Sequence, residues 1–357
     1  MPSKQTKKKI ILEASVGSMA PSRDLNTPVS ELRRDLVTGD WILIAKQRGK
    51  RPHAFIAGDD KEIELPTSQC PFEDPQKSGN APPVLLYKNA EGTDWEVQVI
   101  PNKYPAFAQQ GECLVPQMRG PYEVIDGKGF HEVIITRDHE KHWAFFSREE
   151  ATNVVRAYQE RYQKLKDDEC VTYISIFHNH KRAAGASLAH PHSQLIAIPV
   201  VPADVRRSLE GSRNYFHKNG RCVHCETINF EVQEKSRIVF ENERFIAFCP
   251  FISRTAFEIR LFPKNHQEDF GSLSPEHYSD LADGLREPLK MLNGTLQNPA
   301  YNFFLHTAPL DGVEYQHYHW HFEIVPKTAI AAGFELGTGI EISTLEPEQA
   351  AEFLREQ

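Results

Sequence analysis

Apolar residues recur at every third or fourth position over two stretches of the chain, and elsewhere alternate or form short blocks. Val154, Val155, Tyr158, Tyr162 and Leu165 make the first helical stripe. Ser147-Arg148-Glu149-Glu150 ahead of it has the form of a capping box. Leu281, Leu285, Leu289 and Leu292 make the second stripe, opened by Ser274 as cap and Pro275 at the first helical position, with Pro288 placed to kink it. The short blocks predict strands over 41–45, 95–100, 122–125, 131–136, 171–177, 190–198 and 301–305. Asp126-Gly127-Lys128-Gly129 predicts a hairpin joining 122–125 to 131–136. A charged helical connector covers 204–209, and a short helix starts near Pro347.

The second part of the chain replays the first. Cys222-Val223-His224-Cys225 echoes Cys70-Pro71-Phe72-Glu73, and the run from Asn242 to Phe248 echoes that from Asn102 to Phe107. Lys264-Asn265-His266 echoes Arg137-Asp138-His139, and His319-Trp320-His321-Phe322-Glu323 echoes His190-Pro191-His192-Ser193-Gln194. Landmarks repeated in one order imply an internal duplication. The predicted fold class is α+β, with two tandem halves over 27–210 and 211–357. Each half is an antiparallel sheet with one crossing helix, and a mobile leader covers 1–26.

Composition narrows the function. The chain of 357 residues carries a net charge of -8, which argues against general nucleic-acid binding and leaves acidic substrates to local Arg and Lys. No apolar run is long enough to span a membrane, and Ile10-Ile11-Leu12 is too short for an export signal, so a cytoplasmic location is expected. Six cysteines are too few for a disulfide scaffold of this length.

The candidate chemistry follows from spacing. His190, His192 and Gln194 alternate along an extended strand, so their side chains share a face. His192 is the candidate nucleophile and Gln194 an amide donor beside it, while His190 is free to bind a metal. The small-residue loop from Lys181 to Ala189 lets backbone N–H groups approach phosphate oxygens. The second copy ends in Glu323, whose carboxylate would repel phosphate, so the first copy is the catalytic one and the second structural. Arg48 and Arg51 read either as a phosphate clamp or as solvated charges. Cys222, Cys225, His266 and His319 form a Cys2His2 set suited to tetrahedral zinc. Their first-half equivalents are Cys70, Glu73, His139 and His190, where a carboxylate replaces a thiolate. His306 and His321 read either as further ligands or as hydrogen-bonded core histidines.

On these residues the chain resembles the galactose-1-phosphate uridylyltransferase family of the histidine-triad superfamily. The carriers are Arg48-Gly49-Lys50-Arg51-Pro52, Pro101-Asn102-Lys103-Tyr104-Pro105, Asp138-His139, the stretch from Asn179 to Gln194, His319-Trp320-His321 and Gly333-Phe334-Glu335-Leu336. The resemblance implies double-displacement nucleotidyl transfer, with a nucleotidyl-histidine formed on His192 and Gln194 at the phosphoryl oxygens. It implies that Arg48, Arg51, Asn102, Asn179, Gly185 and Ser187 bind nucleotide and phosphates, and that Lys327, Phe334 and Glu335 lie near the sugar. It also implies structural zinc and a homodimer that completes the sites. Within the family the chain is closer to a prokaryotic branch and to plant ADP-glucose phosphorylase than to the enterobacterial form. It lacks the Gln that the enterobacterial form places on the hexose phosphate, and Glu73 departs from the usual CxxC.

The expected reaction exchanges UMP between UDP-glucose and galactose 1-phosphate, with a nucleotide sugar and a sugar 1-phosphate as partners. One alternative is a phosphorylase of ADP-glucose or of a dinucleoside polyphosphate, with phosphate as acceptor. Another is a catalytically idle zinc-binding scaffold that binds nucleotides. The base and the hexose stay open at this point.

Overall fold

The structure, a computed structural model, describes residues 30–45, 55, 66–107 and 115–357. The leader and the clamp residues Arg48 and Arg51 lie outside the described residues. In chain order the elements are β1 (Glu31–Arg34), β2 (Trp41–Ile44), β3 (Leu85–Lys88), β4 (Trp95–Pro101), β5 (Gln117–Arg119), β6 (Tyr122–Val124), β7 (Phe130–Thr136), α1 (Arg148–Leu165), β8 (Tyr173–His180) and β9 (His192–Ile198). There follow α2 (Ala203–Asn219), α3 (Val223–Glu234), β10 (Ile238–Glu241), β11 (Phe245–Phe248), β12 (Ile259–Pro263), α4 (Tyr278–Leu296), β13 (Tyr301–His306), β14 (His321–Pro326), α5 (Gly333–Thr338), β15 (Ile342–Ser343) and α6 (Pro347–Arg355).

A 10-stranded sheet runs in the order β10-β11-β12-β14-β13-β8-β9-β7-β4-β3. One arm comes from strands before residue 200 and the other from strands after residue 235. They meet where β8 pairs antiparallel with β13, placing Asn179 opposite Asn302. The expectation of a separate sheet per half is thus corrected. Pairing at this seam fuses the arms and removes two open edges. A smaller sheet joins β1, β2 and β15.

The two helical stripes account for one face of the sheet. α1 buries Val154, Val155, Tyr158, Tyr162 and Leu165, while α4 buries Leu281, Leu285, Leu289 and Leu292. Both helices share a core with Ile174, Ile176, Leu195, Phe303, Phe322 and Ile324. Taking each such side chain out of water contributes about 2 kcal/mol. The predicted cap of α1 is present: Glu150 N donates to Ser147 Oγ at 3.2 Å, and Ser147 N donates to Glu150 Oε2 at 2.7 Å. On the other face α3 covers the second arm, with Ile228 packed on Ile246, Phe248 and Phe262.

Three local expectations change. β6 does not turn back into β7; it pairs with β5 in a separate ribbon, and β7 lies between β4 and β9. Tyr122 and Glu123 are exposed, so β6 brings no apolar face to the sheet, whereas Val133, Ile134 and Ile135 are buried. Gly129 serves close packing: a Cβ there would sit 2.0 Å from the Ala197 carbonyl oxygen on β9. The connector over 204–209 is part of the longer α2, which also spans residue 210. α3 stands where no helix was predicted, with Cys222 as its N-cap.

Candidate active site

β9 opens on His192, which places Ile135 opposite it on β7 and sets Gln194 between Val133 and Phe177. His192 is 8% exposed, and the Phe72 ring stands edge-on at 5.3 Å. Its Nδ1 lies 2.8 Å from the His190 carbonyl oxygen. A carbonyl only accepts, so Nδ1 carries the proton and Nε2 is left with a lone pair. Burial lowers the pKa of His192, opposed by that carbonyl contact. The side chain is therefore a neutral imidazole whose free nitrogen has no hydrogen-bond partner among the described residues. On the opposite face of β9, Ser193 Oγ meets Tyr158 OH at 2.5 Å and His178 Nδ1 at 3.0 Å, tying the strand to α1.

Gln194 Oε1 lies 2.8 Å from Nε2 of His131, a β7 residue that sequence reasoning missed. Asn102 follows β4, and its backbone N donates to the His131 carbonyl at 2.8 Å. Gly185 and Ser187 are exposed on the loop between β8 and β9. Gly185 has φ +91°, the left-handed region that favours glycine. Lys181, with φ 67°, takes the same sign without being glycine. Asn302 Nδ2 donates to Asn179 Oδ1 and to the Ala184 carbonyl, both at 2.7 Å, which moors the loop to the seam. A cleft at the seam is lined by Phe177, Asn179, Arg254, Asn302 and Lys327, among others. Phe334 and Glu335 are not among its lining residues. They sit on α5, where Phe334 is half exposed and Glu335 Oε2 accepts from Ala332 N at 3.0 Å.

The predicted ligand sets come together in space. Cys70, Glu73, His139 and His190 have donor atoms within 4.8 Å of one another, and so do Cys222, Cys225, His266 and His319. In the first set, His190 Nε2 donates to the Thr136 carbonyl at 2.7 Å, which aims the Nδ1 lone pair at Cys70 Sγ, 3.6 Å away. Glu73 Oε1 is 2.9 Å from His139 Nδ1, and its other oxygen accepts from Arg137 at 2.9 Å. Burial would raise the Glu73 pKa, but Arg137 and His139 outweigh it and hold it below the usual carboxylate value. In the second set, Cys225 Sγ lies 3.4 Å from His266 Nδ1 and 3.5 Å from His319 Nδ1. A hydrogen bond from Cys225, with His266 and His319, holds the Cys222 thiol far below its usual range despite burial. Thiolate plus neutral imidazole is the donor chemistry that zinc prefers.

His306 and His321 do not join the Cys2His2 set. They group with Glu323. His321 repeats the arrangement of His192, its Nδ1 donating to the His319 carbonyl at 3.0 Å. Its Nε2, however, faces Glu323 Oε1 at 3.7 Å. Glu323 accepts from Arg254 and pairs with the charge of Arg260, whose Nε lies 3.2 Å away and donates to Glu258. Burial alone would raise the Glu323 pKa; the two guanidinium charges hold it well below the usual value. The sequence carried no signal for the pairing of Arg254 and Arg260 with Glu323, which lies more than sixty residues away.

Comparison with known proteins places this arrangement. A family model described as galactose-1-phosphate uridyl transferase, N-terminal domain, matches residues 21–202, and a model described as a domain of unknown function matches 124–356. The chain is 33% identical over 330 residues to ADP-glucose phosphorylase of Arabidopsis thaliana, covering 91% of this chain and 92% of that protein. It is 26% identical over 335 residues to galactose-1-phosphate uridylyltransferase of Thermotoga maritima, covering 91% and 98%. Among solved structures, an ADP-glucose phosphorylase from Arabidopsis thaliana with bound ADP-glucose superimposes with a TM-score of 0.77 at 30% identity, covering 92% of this chain and 99% of that one. A uridylyltransferase structure does so with a TM-score of 0.70 at 29% identity, covering 92% and 98%.

Proposed function

This chain belongs to the galactose-1-phosphate uridyl transferase family and is an enzyme of the nucleotidyltransferase or phosphorylase type, and from that premise we propose that it transfers a nucleotidyl group from a nucleotide sugar by double displacement on His192. The observation that carries this reading is the Nδ1 contact to the His190 carbonyl, which leaves Nε2 as a buried, unprotonated nucleophile. In the first step Nε2 forms a bond to the α-phosphorus. The bond from phosphorus to the bridging oxygen breaks, and its electron pair leaves on the sugar 1-phosphate. In the second step a phosphate oxygen of the acceptor attacks the same phosphorus, and the N–P pair returns to Nε2. The Nδ1 proton stays in place throughout, and the carbonyl it faces stabilises the positive charge on the ring.

Gln194 directs its NH2 group at the phosphoryl oxygens, a preorganised donor in a half-buried site. Asn179, Gly185, Ser187 and Asn102, with Arg48 and Arg51, bind the rest of the nucleotide, and Lys327, Phe334 and Glu335 serve the sugar. Zinc held by Cys222, Cys225, His266 and His319, and by Cys70, Glu73, His139 and His190, would supply charge neutralisation and a cross-link at each set. The two arms are read as tandem histidine-triad-like copies divided near residue 210, a reading supported by the strand order running outward in matching fashion from the seam. A homodimer is supported by the exposed Ile330, Phe334 and Leu336 on one segment.

The first reading of the substrates is UMP exchange between UDP-glucose and galactose 1-phosphate. The second, phosphorolysis of ADP-glucose, is favoured by the higher identity to the plant phosphorylase, 33% against 26%. The test loads the protein with UDP-glucose or ADP-glucose, weighs the intact chain, then chases with galactose 1-phosphate or inorganic phosphate. A uridylyl adduct released as UDP-galactose supports the first reading, and an adenylyl adduct released as ADP supports the second. No adduct from either donor refutes covalent transfer from these donors and leaves the idle scaffold.

A further inference from the structure

Gln194 can serve the phosphate only one way round. Its amide ends in an acceptor oxygen and a donor NH2 of nearly equal size, and a half-turn about the last torsion exchanges them. With the oxygen toward a phosphoryl group the contact is repulsive, so something must choose the orientation. His131 stands at the oxygen end, its Nε2 2.8 Å from Gln194 Oε1. The protonation of that imidazole is decided from its far side. The backbone N–H of Ala106 donates to His131 Nδ1 at 3.1 Å, so Nδ1 is an acceptor and the ring proton sits on Nε2. The nearby Asn102 does not compete for that proton. Its Nδ2 lies 3.0 Å from Nε2 and is itself a donor, while its Oδ1 accepts from Tyr104 N at 2.9 Å. Gln194 Oε1 is the acceptor that remains within reach among the described residues.

We propose that His131 is a positioning residue for nucleotidyl transfer: its Nε2–H holds the Gln194 oxygen and thereby turns the Gln194 NH2 toward the phosphoryl group beside His192. The inference rests on the nucleotidyl-transfer reading above. It also explains why the turn after β4 bears on catalysis: the Ala106 N–H sets the tautomer of the residue that orients the donor. The second arm has no such relay, since Glu323 at the matching position faces Arg254 and Arg260.

The test follows nucleotidyl-His192 formation in single turnovers with UDP-glucose and with ADP-glucose, for the full chain. His131→Ala should slow adduct formation about tenfold, the worth of one well-placed hydrogen bond, with the nucleotide-sugar concentration for half-maximal rate changed less than about threefold. Gln194→Ala should slow it about a hundredfold. The double variant should be no slower than Gln194→Ala alone, because His131 acts through Gln194. His131→Gln, which keeps an amide N–H in reach, should recover most of the rate. Wild-type rates in His131→Ala, or losses that multiply in the double variant, would overturn the inference while leaving nucleotidyl transfer standing. A wild-type chain that forms no adduct from either donor overturns both together.

Discussion

Two histidines occupy matching places in the two arms and differ in everything around them. His192 and His321 each donate Nδ1–H to the carbonyl two residues back, at 2.8 and 3.0 Å, and each is buried. The backbone thus prepares a nucleophilic nitrogen twice. In the first arm that nitrogen has no hydrogen-bond partner among the described residues, and the residue two along is a neutral amide turned by His131. In the second arm the residue two along is a carboxylate, locked between two guanidinium groups and facing the imidazole. The same contrast holds on the helix side. His178, Ser193 and Tyr158 form a hydrogen-bonded group in the first arm, where Leu305 and Phe322 stand at the corresponding pairing positions in the second. A strand that presents a reactive imidazole is therefore insufficient for a site. The neighbouring charge decides whether an anionic phosphate can approach it.

Giving the first arm the second arm's chemistry should have the largest effect. Gln194→Glu places a carboxylate toward the phosphoryl oxygens, and single-turnover adduct formation should fall about 10²- to 10³-fold with the fold intact. The reverse exchange, Glu323→Gln, should create no new adduct. It removes one of the two carboxylates that face Arg260 and leaves Glu258, which accepts from Arg260 at 3.1 and 3.2 Å, and should cost about 1 kcal/mol of stability in denaturant titration.

Acid should act on both arms, since burial lowers His224 and His306 in the second as it does the histidines of the first. His142 is 5% exposed, and burial, followed by the charges of His180 and Lys181, pushes its pKa down to about 3. Burial likewise lowers His178. Because the folded value lies below the usual 6.5, the unfolded chain takes up the proton first. Stability is whole above pH 6.5 and is lost as pH falls from there toward 3. At pH 5 the loss from His142 alone is about 2 kcal/mol, and His142→Gln should flatten the slope of stability against pH. The ligand sets offer the smallest contrast. The set with Glu73 in place of a thiolate should release zinc to a chelator at about tenfold lower chelator concentration than the Cys2His2 set, read as two steps in a metal-release titration.

Much of the site was legible in the sequence because its donors are chemically distinctive. His192, Gln194 and both ligand sets are found where spacing and the internal echo put them, and the stripes of α1 and α4 fix the covered face of the sheet. What was hidden depends on partners far apart in the chain. The seam between β8 and β13 depends on backbone pairing between segments 121 or more residues apart, which no local pattern encodes. β6 was joined to β7 because Gly127 and Gly129 resemble a turn, whereas Gly129 is small to clear the Ala197 carbonyl. His131 was legible only as a strand residue; its role needs the Ala106 N–H and Gln194 brought to opposite sides of one ring. α3 was masked by its own cysteines, whose CxxC spacing suits a loop as well as a helix start.

The most direct test of the account maps the nucleotidyl adduct by intact-mass measurement and peptide analysis in the wild-type chain, His192→Ala and His321→Ala, each with UDP-glucose and ADP-glucose. The account predicts one adduct per chain on His192, absent in His192→Ala and retained in folded His321→Ala. An adduct that persists in His192→Ala, or that maps to His321, would contradict it.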